Sequence, residues 1–188
     1  MNDLFKEIEK LLKEKPDAVI GIDGYCASGK TTLAMQLARR FDAQIISMDD
    51  FFLPFDMRSE RRLSQTGGNI HYERFNAEVT SGLQRREKFA YRAFSCRHGG
   101  FSETKTVLPD KPVIIEGSYA FHPEIKVDYD FRIFMKADYE TRIERILERN
   151  GADALEVFKS KWIPLENKYF DEFDIEKKCD VIIKQTEK

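Results

Sequence analysis

The segment Gly24-Tyr25-Cys26-Ala27-Ser28-Gly29-Lys30-Thr31 is where residue types and spacing can do chemistry most directly. It satisfies G-x-x-x-x-G-K-[ST] at every fixed position. Glycines let a backbone take positive φ and curl its N–H groups around anionic oxygens. A helix beginning inside the segment adds partial positive charge at the same place. The chemistry implied is the grip of a polyphosphate. The expected phosphate-binding set is Gly24, Ala27, Ser28, Gly29, Lys30, Thr31 and Thr32, with Lys30 reaching the terminal phosphates and the Thr31 hydroxyl able to ligate Mg2+. Cys26 reads as a small filler, since no His partner lies near it in sequence to make it a nucleophile.

Three carboxylates join this set. Ile45-Ile46-Ser47-Met48-Asp49-Asp50 puts two acids just past an apolar run, and Val113-Ile114-Ile115-Glu116 ends another run on a third. In an open parallel sheet the C-terminal ends of strands share one edge, and ligands bind there. The glycine-rich segment also follows a strand-like run, so Asp49, Glu116 and Lys30 are expected to converge. One carboxylate can then orient an attacking hydroxyl, the role given to Asp49, while another supports a metal shell, the role given to Glu116 beside Thr31. The competing reading makes Asp49 or Asp50 a cap on the following segment; Asp50 is left open.

The elements that must hold these groups follow from periodicity. Leu4, Phe5, Ile8, Leu11 and Leu12 lie on one face of an amphipathic helix in residues 1–16, ended by Pro16. Short apolar runs at 18–22, 44–47, 112–117, 131–135 and 180–184 read as buried strands. Helical patterns cover 31–40, 74–86, 137–150 and 154–170, and 89–94 alternates as a strand before a turn at 97–100. Residues 51–68 read as a long loop, of the length that is usually functional or disordered. Trp162, with Ile163, Leu165, Tyr169 and Phe170, reads as helix packing, and His71, His98 and His122 are too scattered for a metal site. Strands alternating with helices predict an α/β fold with a mostly parallel sheet.

The 188 residues allow one domain, 1–188. Lys and Arg number 31 against 33 Asp and Glu, which excludes a sequence-independent nucleic-acid binder, so no nucleic acid is expected as a partner. No apolar run approaches the ~20 residues of a membrane span, and the charged residues near the start are unlike a secretory signal. Three widely spaced cysteines fit a reducing compartment, so the expected location is cytoplasmic.

Taken together the motifs resemble the uridine kinase-like family of P-loop nucleoside kinases. The matching pieces are the glycine-rich segment with Thr32, then Ser47-Met48-Asp49-Asp50-Phe51-Phe52, Gly68-Asn69-Ile70-His71-Tyr72-Glu73-Arg74-Phe75, Ile114-Ile115-Glu116-Gly117, Arg142-Ile143-Glu144-Arg145-Ile146-Leu147-Glu148-Arg149 and Asp180-Val181-Ile182-Ile183. They run in the family's order from about residue 18 to residue 184. The resemblance implies a three-layer P-loop NTPase fold with a five-stranded sheet, ATP and Mg2+ as cofactors, and a small-molecule hydroxyl acceptor. It implies that Asp49 lies against that hydroxyl, and that a helical lid of about 138–165 brings Arg142, Arg145 and Arg149 to the phosphates; read alone, those arginines would be a solvated face paired with Glu144 and Glu148. The acceptor side departs from the family. His71 stands where an Asp would grip ribose hydroxyls, and Phe94-Ser95 where a Tyr-Asp pair would meet sugar and base. His71, Tyr72, Arg74 and Tyr91 are the acceptor-side candidates, and a neutral His accepts one hydrogen bond where a carboxylate accepts several. A nucleotide-binding switch is the rival reading, weakened because Asn167-Lys168-Tyr169-Phe170 lacks the Asp that reads guanine. Assembly as a homo-oligomer is left open, since no segment reads as an interface.

Overall fold

The computed structural model describes residues 2–185. The chain runs α1 (Asn2–Glu14), β1 (Val19–Gly24), α2 (Lys30–Phe41) and β2 (Gln44–Ser47). Then come a 3-10 turn (Met48–Phe51), α3 (Glu60–Leu63), α4 (Tyr72–Phe75) and, across a π turn, α5 (Ser81–Arg85). β3 (Phe89–Ser95) and β4 (Gly100–Val107) form a hairpin, followed by β5 (Val113–Glu116) and β6 (Phe131–Ala137). Last are α6 (Tyr139–Asn150), α7 (Ala152–Val157), α8 (Ile163–Glu172) and β7 (Val181–Gln185).

Five strands form one parallel sheet in the order β2-β5-β1-β6-β7. The three central strands are buried apolar runs, because helices and long connections cover both faces. One face packs Ile20, Ile22, Ile114 and Ile133 against Leu33 and Leu37 of α2 and Leu4 and Ile8 of α1. The other packs Ile46, Ile115 and Phe134 against Phe51, Phe75, Tyr91, Tyr169 and Phe170. The sheet is thus wholly parallel, and the antiparallel pairing is confined to the β3–β4 hairpin.

The structure departs from the sequence reading in two places. Residues 51–68 are not an irregular loop throughout, since a 3-10 turn at Phe55–Met57 and α3, capped by the Ser59 hydroxyl, interrupt them. β4 has no counterpart in the sequence reading, because its side chains are mostly exposed and polar and carry no apolar alternation. The helical arm after β6 runs to Glu172, with a π turn at Phe158–Trp162 joining α7 to α8.

Candidate active site

β1 ends at Gly24, and the chain curls through Tyr25–Gly29 before α2 begins at Lys30. Gly24 is irreplaceable for two reasons: its φ is 136°, and a Cβ there would lie 2.1 Å from the Met135 carbonyl oxygen of β6. Ala27 holds a left-handed φ of 57° and Gly29 one of 93°, the kind of turn in which main-chain N–H groups can face an anion. Lys30 Nζ lies 2.6 Å from the Gly24 carbonyl, 2.8 Å from that of Tyr25 and 3.3 Å from Ser118 Oγ.

The carboxylates arrive as the sheet edge requires. Glu116, the last residue of β5, accepts hydrogen bonds from the hydroxyls of Thr31 at 3.1 Å and Ser47 at 2.8 Å. Its burial pushes the carboxyl pKa up, and the nearby charge of Asp49 adds to the rise. Asp49 sits in the 3-10 turn just past β2, and its own N–H donates to the Ser47 hydroxyl at 3.4 Å. Its side chain is open to solvent, yet it stands in a cleft crowded by protein. That crowding pushes its carboxyl above the usual range, while the charge of Lys30 pulls it back down. Asp49, Lys30, Thr31, Thr32 and Glu116 all line one cleft of about 810 Å3.

Asp50 points the other way: its carboxylate accepts from the Tyr91 hydroxyl at 3.1 Å and pairs with Lys105 at 2.9 Å, both on the hairpin.

The three helix arginines separate. Arg145 and Arg149 line the cleft, and Arg145 donates to the Ala27 carbonyl at 3.1 Å. Arg142 does not join them. It is buried behind the loop, donating to the Cys26 carbonyl at 3.0 Å and pairing with Glu166 at 3.1 Å, its guanidinium stacked over the Tyr25 ring. The acceptor-side candidates also scatter. Tyr72 is buried and stacks on His122 with centroids 5.4 Å apart. Arg74 is buried, bonding the carbonyls of Asp50 and Arg92. Tyr91 is buried under Phe51, and His71 is half-buried outside the cleft wall, its imidazole pKa lowered by burial. None of the four lines the cleft; Tyr72, Arg74 and Tyr91 serve the framework beside it. The wall is built from Phe52, Asn69, Tyr119, Phe158 and Trp162, so Trp162 is more than helix packing.

Sequence reasoning also passed over Asp23, Ser118 and Glu166. Asp23 is buried within β1 and accepts from the N–H groups of Gly24 (2.7 Å) and Phe121 (3.0 Å) and from the Tyr169 hydroxyl (2.7 Å). Burial raises its pKa to about 6, partly offset by those donors and by Lys30. A signal for Glu166 was present: it lies three residues after Ile163 and four before Phe170, inside the apolar stripe of α8.

The group nearest a metal site is Thr31, Glu116 and Ser47, all hard oxygen donors. Such a set fits Mg2+, which commonly takes one or two protein oxygens and completes its shell with phosphate and water. Among the described residues no cluster of three or more His, Cys, Asp or Glu could hold a metal by itself, and no helix is long and apolar enough to cross a membrane.

A parallel sheet with a glycine-rich phosphate cradle after its central strand, and carboxylates from neighbouring strands at the same edge, defines the P-loop kinase class. Uridine kinase of Clostridium tetani is 30% identical over 147 residues, 72% of this chain and 69% of that protein. The chain therefore belongs to the uridine kinase-like family of P-loop kinases. A Bacillus stearothermophilus protein described as a possible uridine kinase superposes with a TM-score of 0.67 at 21% identity, covering 96% of this chain and 99% of its own. A Silicibacter protein described as a candidate fructose transport system kinase also gives 0.67, at 20% identity over 90% of each chain. A scan against protein-family models finds no match.

Proposed function

We propose that the chain transfers the γ-phosphoryl group of ATP, with Mg2+, to a hydroxyl of a nucleoside or a similar small metabolite. The observation that carries this reading is the opening of Asp49, Lys30 and the Thr31–Glu116 pair onto one cleft. Asp49 orients the acceptor hydroxyl and takes its proton. The raised pKa of Asp49 makes it a better base than an ordinary aspartate. Lys30 and the loop N–H groups hold the polyphosphate and offset its charge. Thr31 and Glu116 would hold Mg2+, which would supply charge neutralisation for the phosphates. Arg145 and Arg149, on the cleft-facing side of α6, supply further positive charge to the transferring group. The transition state is loose, so positioning and neutralisation are what the protein has to provide.

The aromatic wall of Phe52, Tyr119, Phe158 and Trp162 supports a ligand with a flat ring, and the Clostridium tetani relative is named for a nucleoside acceptor. The test is Mg2+-dependent ADP formation from ATP across a panel of hydroxyl-bearing metabolites, nucleosides and sugars included. Acceptor-dependent ADP is expected. ATP binding with no turnover on any acceptor would replace the kinase with a nucleotide-binding protein, and preference for GTP over ATP in a thermal shift would favour a switch.

A further inference from the structure

Glu166 takes no part in the proposed transfer, yet it is almost wholly buried at the edge of the cleft. Its oxygens are fully engaged. Oε1 accepts from Cys26 N–H at 2.8 Å and from Ser118 Oγ at 2.7 Å. Oε2 accepts from the same N–H at 2.9 Å and from Arg142 at 3.1 Å. A carboxylate so occupied has no free lone pair aimed at a ligand, so a role as base or metal ligand is excluded.

What it does hold is the backbone of the phosphate loop. Glu166 of α8 takes the N–H of Cys26, and Arg142 of α6 takes its carbonyl, so both helices of the arm grip one residue. Arg145 takes the next carbonyl, that of Ala27. In a trans peptide the carbonyl and the following N–H point in opposite directions, so Arg142 aims the Ala27 N–H away from α6. Ala27 is also the non-glycine residue of the loop held at a left-handed φ, a strained conformation that persists only where its surroundings enforce it. Ser118 passes the contact on, donating to Glu166 while its oxygen faces Lys30 Nζ at 3.3 Å.

We propose that Glu166, with Arg142 as its counter-ion, is a positioning residue that clamps the Cys26 peptide from the two arm helices and so sets the nucleotide affinity of the phosphate loop. This rests on the kinase reading above, and the test separates the two. Isothermal titration of the full chain with ATP and Mg2+, in the absence of any acceptor, reads the loop alone. In Glu166→Gln the Kd for ATP rises about tenfold, and Glu166→Asp recovers part of the loss because it restores the charge. The Arg142→Gln and Glu166→Gln changes are not additive, because each single change strands the other partner's buried charge or donors. Circular dichroism and melting curves run in parallel; a purely structural role lowers the melting temperature without moving the Kd of the folded protein. If Glu166→Gln does not fold, Arg142→Lys keeps the charge, loses the forked geometry and still loosens ATP several-fold. A folded Glu166→Gln or Arg142→Lys protein with parental ATP affinity overturns the clamp. A parental chain that binds no ATP overturns the kinase reading, and the clamp with it.

Discussion

The two ends of the cleft are built by different physics. At the phosphate end, buried polar groups are bonded to one another and to main chain: Glu116 to Thr31 and Ser47, Arg142 to Glu166 and Cys26, Lys30 to two loop carbonyls. Behind the side proposed for the acceptor the framework is aromatic, and none of these rings lines the cleft itself. Phe51 packs against Phe75 and Tyr91 with centroids 4.7 and 5.2 Å apart, and Arg74 lies over the Phe51 ring. Near the hairpin turn, Phe94 meets Phe55 and Phe101. Polyphosphate is the same in every kinase, so its cradle can be fixed by dipoles that have one correct arrangement. Ring packing has no single hydrogen-bond pattern to protect, and its residues can be exchanged for others of similar volume. Under the proposed transfer, the contrast makes donor recognition the over-determined part and acceptor recognition the part free to change.

Asp49 stands at the seam, and removing its charge is the strongest way to break the comparison. Asp49→Asn should lower kcat by roughly 10^2–10^4, the usual worth of a positioned acid or base, and leave the Kd for ATP close to the parent's. A variant that turned over like the parent would strip Asp49 of its role. Its raised pKa adds a pH signature: the ionised, base-competent form is lost as pH falls, at a higher pH than for an ordinary aspartate. The acid limb of the parent's kcat profile should therefore be missing from Asp49→Asn.

Asp23 sharpens the comparison at the phosphate end. Its folded pKa of about 6 lies above the 3.8 of an ordinary aspartate, so the folded state holds the proton more tightly than the unfolded one. Its contribution to stability therefore falls as pH rises from about 4 to about 6, and is flat above that. Asp23→Asn should melt at a lower temperature, because one of the two acceptor oxygens becomes an NH2 donor set against the N–H or hydroxyl donors it used to accept from. The gap to the parent should narrow across the same pH interval; parallel melting curves would mean that Asp23 does not titrate there.

The smallest effect belongs to the acceptor end. Tyr91→Phe removes one bond to Asp50 and leaves Lys105 in place, a loss of about 1 kcal/mol. Acceptor KM should rise by a few-fold with ATP Kd unmoved. An equal change in both would show that the two ends are not independent.

The same division explains what could be read from the chain. The cradle was legible because its parts are contiguous in residues 24–32, and the strand-end carboxylates because a parallel sheet aligns strand ends whatever the loop lengths. The acceptor wall was not. Phe52, Asn69, Tyr119, Phe158 and Trp162 come from four separate segments, and their meeting depends on how the long connections fold back. His71, Tyr72, Arg74 and Tyr91 have side chains chemically suited to an acceptor, but none of them lines the cleft. Arg142 shows the limit within a single helix. Its spacing from Arg145 and Arg149 suggested one shared face, yet burial under Tyr25 and pairing with Glu166 take it behind the loop. β4 escaped notice because a hairpin strand with exposed polar faces carries no periodic apolar signal.

Gly24 carries a lesson for anyone tracing descent by this motif. Any side chain at that position would drive into the backbone of β6, whether or not a nucleotide ever binds. A descendant that had abandoned phosphoryl transfer would still be obliged to keep this glycine for the sheet to close. Its presence is thus a record of strand packing, and evidence for a working cradle has to be sought at Gly29, Lys30 and Thr31 instead.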